Sequence, residues 1–69
     1  DIKEYKKAIE IYPGYIMFYV DYANSLIRED EYATAREMLN KALSCKLLHQ
    51  DDEKRLAEAK KLLNEIKNE

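Results

Sequence analysis

The sequence is short of almost everything that interrupts a helix. Of its 69 residues, one is glycine and one is proline, and the two are adjacent at Pro13-Gly14. That pair is the only strong breaker in the chain. A single glycine excludes a glycine-rich phosphate loop. The single cysteine, Cys45, excludes an internal disulfide, and no spaced set of cysteine and histidine suggests zinc. A lone thiol fits a reducing compartment and tilts the expected location toward the cytoplasm. No apolar run approaches the roughly 18 residues needed to span a bilayer. The longest, Tyr15 to Val20, is too short and too rich in tyrosine for a signal segment. Neither sign of charge dominates: 12 basic and 14 acidic side chains leave a formal net charge of −2. This balance argues against nucleic acid, which selects a basic stripe, and against an anionic membrane surface. The chain begins at Asp1 and not at Met, so it is expected to be processed or cut from something longer.

What is present favours helix. Ala, Leu, Glu, Lys and Arg dominate, and no β-branched run occurs. Charged residues at 38% are mixed in sign and read as solvated helix faces, while 46% hydrophobic content suffices for a modest core. Periodicity and end signals predict four helices. The first covers about Ile2 to Tyr12, with Ile2, Tyr5, Ala8, Ile9 and Tyr12 on one stripe. The second covers about Tyr15 to Arg28, with Tyr15, Phe18, Tyr19, Tyr22, Ala23 and Leu26 inward. Asp30 is the expected N-cap of the third, which covers about Glu31 to Lys46 with Tyr32, Ala35, Leu39, Ala42 and Leu43 inward. After a connection from Leu47 to Gln50, Asp51, Asp52 and Glu53 place negative charge at the start of the fourth. Leu56, Ala59, Leu63 and Ile66 repeat along it. Asp51–Arg55 and Glu37–Lys41 are the expected surface pairs. The fold class is therefore all-α, with four short antiparallel helices.

The residues also recur. Ala8-Ile9 and Ala42-Leu43, Tyr5 and Leu39, and Tyr22-Ala23 and Leu56-Ala57 are each separated by 34 positions. On these residues the chain resembles the tetratricopeptide repeat family, an α-solenoid of helical hairpins. The resemblance divides the single domain into three parts: residues 1–13 as the second helix of a truncated repeat, 16–49 as one full repeat and 51–68 as a C-terminal capping helix. The pattern departs from the family at Leu47, where the closing proline is missing, and at Lys60, where a large apolar residue is usual. A small helical bundle whose alanines happen to fall at this period is the alternative.

By resemblance, the first helix of a repeat lines the concave surface. This implies Met17, Val20, Asp21, Asn24, Ile27 and Arg28 as the partner-binding set. Asn24 matches a position that grips peptide backbones in some members, but Val20 stands where they carry a lysine. Arg28 and Lys54 remain as one weak anion contact. The bland reading of Asp21 and Asn24 is the solvated side of an amphipathic helix.

Catalytic and metal chemistry find little support. Cys45 and His49 are four residues apart, yet two ligands do not close a zinc site. No nucleophile–base pair assembles around the single histidine, and no catalytic residues or cofactor are expected. The expected function is thus a protein-interaction scaffold that binds a peptide or helix, and not an enzyme. The alternative is a structural terminal segment that self-associates as a homo-oligomer, because so short an array leaves Ile2, Tyr5 and Ile9 partly uncovered.

Overall fold

The computed structural model describes residues 2–69, with Asp1 outside them. Four helices follow one another: α1 (Ile2–Ile11), α2 (Ile16–Arg28), α3 (Tyr32–Leu43) and α4 (Asp52–Glu65). No strand occurs among the described residues, and the all-α expectation holds. Every helix is one to three residues shorter at one or both ends than periodicity predicts. The largest differences, three residues each, are at the ends of α3 and α4; α3 stops at Leu43 and gives way to a longer irregular connection. No helix is long and apolar enough to cross a membrane.

Helix α2 is the centre of the arrangement. It packs against α1, α3 and α4, whereas α1 packs against α2 alone. The core follows from this. Ile16, Val20, Ala23, Ala35, Leu39, Ala42 and Ala59 have no solvent exposure, and Tyr19, Tyr22, Leu26, Met38 and Ile66 complete the buried set. Alanines at Ala23, Ala35 and Ala42 let the α2 and α3 backbones approach, and the larger side chains fill the space between. Each fully buried Ile, Leu or Val contributes roughly 1.5–3 kcal/mol relative to an exposed one. Ile16, Val20 and Met38 belong to this core although the predicted inward stripes omit them.

The two interhelix turns around α2 use opposite devices. Pro13 ends α1 because it has no N–H to donate and restricts the residue before it. The Tyr15 N–H closes the turn onto the Tyr12 carbonyl at 3.2 Å, and the Tyr19 hydroxyl donates to the Pro13 carbonyl. Gly14 has no positive φ and open space where a Cβ would stand. The left-handed position falls instead on Asp30, at φ 59°. The Glu31 N–H reaches the Leu26 carbonyl (2.8 Å) and the Asp30 N–H reaches Ile27 (3.0 Å). These are the paired bonds of a helix stop built on a left-handed residue. Asp30 is therefore not the N-cap of α3, as its position before the helix suggested. Glu31 takes that place without a side-chain cap bond. The Asp30 carboxylate instead accepts the Tyr32 hydroxyl at 2.9 Å, which raises the Tyr32 pKa.

Other expectations need correction. Tyr12, placed on the inward stripe of α1, is 63% exposed because α1 ends before it and the chain turns away at Pro13. Ala57 is exposed and Ala59 takes the buried small position in α4. Arg55 pairs with Glu58 at 3.4 Å and not with Asp51. Ile2, Tyr5 and Ile9 are half-buried, as a helix with one neighbour requires.

Candidate interaction face between α2 and α4

The six residues implied as a partner-binding set separate in the structure. Val20 is fully enclosed, so it is a core residue and offers no partner contact. Its side of α2 is covered because the helix has three neighbours, where the resemblance implied an open concave surface. Ile27 is half-buried and packs onto the core. Arg28 is exposed at the end of α2, where its guanidinium donates to Ser25 Oγ at 3.1 Å. Met17, Asp21 and Asn24 remain, spaced by four and three residues on one half-buried face of α2.

That face meets α4. Asn24 Nδ2 donates to Glu58 Oε2 at 3.4 Å, and Arg55 Nη1 donates to Glu58 Oε1 at 3.4 Å. Asp21 stands within the field of both charged residues. Burial pushes its carboxyl above the ordinary range, the Arg55 guanidinium pulls it down, and the Glu58 charge adds to the rise. Both bonds to Glu58 lie at the long end of the hydrogen-bond range, so the cluster is loosely tied. Sequence reasoning found the α2 half of the face. It named Arg55 only as a surface partner of Asp51 and missed Glu58, whose only signal was its position one turn from Arg55 on a helix with much charge.

At the end of the same face a cleft of about 200 Å³ is lined by Tyr15, Met17, His49, Gln50, Asp51, Asp52 and Arg55. Its floor is organised by Asp52, which is 1% exposed. Oδ2 accepts the Leu48 N–H (2.8 Å) and the His49 N–H (2.8 Å) and lies 3.3 Å from His49 Nδ1. Burial alone would raise this carboxyl. The two backbone donors, the imidazole bond and the imidazole charge bring it below the ordinary range. Asp52 is therefore more than a favourable charge at a helix start: it ties the α3–α4 connection to the first turn of α4. The His49 ring rests against Tyr15, with centroids 4.7 Å apart, and Tyr15 meets Phe18 edge-on at 4.7 Å. Cys45 turns elsewhere, its Sγ donating to the Lys41 carbonyl at 3.3 Å. Burial and the Asp52 charge push the thiol up.

Among known families, the model described as RMD1-3, regulator of microtubule dynamics protein 1-3, matches residues 2–67. The chain belongs to that family. No curated protein and no solved structure matches it. The family assignment overturns the tetratricopeptide resemblance. The physical reason for the error is visible in the packing. Small residues recur wherever two packed helices approach closely, so buried alanines such as Ala23, Ala35 and Ala42 do not by themselves distinguish a tetratricopeptide array from another helical bundle. The extension of the 34-residue spacing to Ala57 fails, since Ala57 faces solvent.

Proposed function

We propose that this chain is a protein-interaction domain acting in the regulation of microtubule dynamics, and that it engages its partner on the α2–α4 face. The family's description supplies the process. The observation that carries the face is the convergence of Asp21 and Asn24 from α2 with Arg55 and Glu58 from α4. The Asn24–Glu58 and Arg55–Glu58 bonds are each 3.4 Å long. Such bonds are exchanged for bonds to a partner's backbone or charged side chains at small cost. Met17 and Tyr15, both half-buried, border the cluster and supply apolar contact area. The role is binding and not catalysis. The Cys45 thiol is held protonated and bonded to a backbone carbonyl, and His49 is engaged with Asp52, which leaves no activated nucleophile beside the cleft.

Tubulin polymerisation followed by turbidity tests this reading. The unmodified chain changes the growth rate, and the double variant Asn24→Ala/Arg55→Ala requires about tenfold more protein for the same change. Circular dichroism checks that the variant remains helical. If the unmodified chain leaves growth unaltered, the assignment to microtubule dynamics fails. If chain and variant act equally, the α2–α4 face is wrong.

A further inference from the structure

A second surface lies on the other side of α2. Helices α1 and α3 both pack against α2 but their backbones do not approach each other, which leaves a groove between them. It encloses about 310 Å³ and is lined by Lys6, Ile9 and Glu10 from α1, Tyr22 from α2, and Thr34, Met38 and Lys41 from α3. The floor is apolar: Tyr22 and Met38 are almost wholly buried, and Ile9 is half-buried beside them. One lysine stands on each wall, both exposed, and neither pairs with an acidic group among the described residues. The single carboxylate of the lining, Glu10, leaves a local excess of positive charge on a chain whose net charge is −2.

We propose that the α1–α3 groove docks an acidic segment of a partner protein, with one apolar side chain of that segment seated on Tyr22, Met38 and Ile9 and its carboxylates held by Lys6 and Lys41. Charge complementarity selects this occupant. A basic segment would meet a lysine on either wall, whereas an acidic one gains a charge-assisted bond on each. The long lysine stems add apolar wall while their heads reach the ligand's carboxylates. Glu10 sets the direction of entry, because it repels carboxylates from its end of the α1 wall. This surface is separate from the α2–α4 face and does not depend on it.

Fluorescence anisotropy with labelled decapeptides tests the proposal: one of Asp and Glu around a central leucine, and one of Lys and Arg around the same leucine. The acidic peptide binds the 69-residue chain saturably and weakens as salt is raised, and the basic peptide does not bind. The double reversal Lys6→Glu/Lys41→Glu, both at exposed positions, lowers the affinity about tenfold or more. Asn24→Ala/Arg55→Ala leaves it unchanged. Absence of saturable binding overturns the proposal, as does equal binding of the basic peptide or equal affinity for the lysine double variant. Loss of binding in the Asn24/Arg55 variant would place the peptide on the α2–α4 face and equally overturn it.

Discussion

Helices α1 and α4 flank the same central hairpin, yet they are attached differently. Helix α4 packs against both α2 and α3, buries Ala59 along its length and is tied at both ends. Asp52 binds the connection at its start, and Arg36 of α3 donates to the Ile66 carbonyl at its end at 3.1 Å. Helix α1 packs against α2 only and contains no fully buried residue. Tyr5 of α1 stacks on Tyr22, with centroids 6.2 Å apart. Attachment therefore follows the number of neighbouring helices more than the apolar content of the helix itself. Helix α1 has a clear apolar stripe, but half of that stripe has nothing to cover it.

Truncations give the largest expected contrast. Leu39→Ala, in the enclosed α2–α3 seam, costs about 3 kcal/mol, a large share of the stability available to a chain of this size. Ile9→Ala in α1 costs about 1 kcal/mol, since the side chain is half-exposed already. Urea denaturation of the two variants measures the difference, and equal losses would break the comparison.

A smaller contrast separates two aspartates on either side of the α2–α4 contact. The folded state lowers the pKa of Asp52 and raises that of Asp21. For Asp52, stability is present in full above its unfolded value near 3.8 and is lost as pH falls through the lower folded value. For Asp21 the sign reverses: the charged form is disfavoured in the fold, and the penalty is relieved as pH falls through its raised value. Thermal unfolding between neutral and acidic pH should show Asp52→Asn less stable than the parent at neutral pH, with the gap narrowing in acid. Asp21→Asn should match or exceed the parent at neutral pH, and any advantage should shrink in acid. The same pH trend in sign for both variants would contradict the electrostatic account.

The smallest effects concern the turns. The left-handed residue is Asp30, while the glycine sits at a position with ordinary φ. Asp30→Gly relieves the left-handed cost but loses the bond to Tyr32, and it stabilises by about 0.5 kcal/mol. Gly14→Ala meets no atom within 4 Å and stabilises by about 0.5–1 kcal/mol, by restricting the unfolded chain. Calorimetry resolves both. A loss at either position would show that the turn imposes a constraint beyond backbone φ.

Much of this fold was legible in the residues. One proline marked the end of α1, and the alanines at Ala23, Ala35 and Ala42 marked the close seam between α2 and α3. The rest depended on facts that periodicity does not carry. Val20 was carried onto the partner-binding face by the tetratricopeptide resemblance, whereas the three neighbours of α2 leave it fully enclosed. Asp30 looked like an N-cap because an aspartate before a helix usually is one, and the preceding helix claimed it first. Of the candidate site, Met17, Asp21 and Asn24 were readable from one helix. The link from Arg55 through Glu58 to Asn24 was not, because it arises only when α4 is laid across α2.

The central position of α2 also bears on how the chain reaches this arrangement. Of the helix pairings, only α2 with α4 joins elements that are not consecutive. Loops to be closed are short, and a topology dominated by such local pairings folds on the microsecond-to-millisecond scale. Helix α1 forms no surface that another helix needs, so the hairpin and α4 assemble without waiting for it. Among the helix pairings the α2–α4 contact closes the widest loop, and it is also the face proposed for the partner.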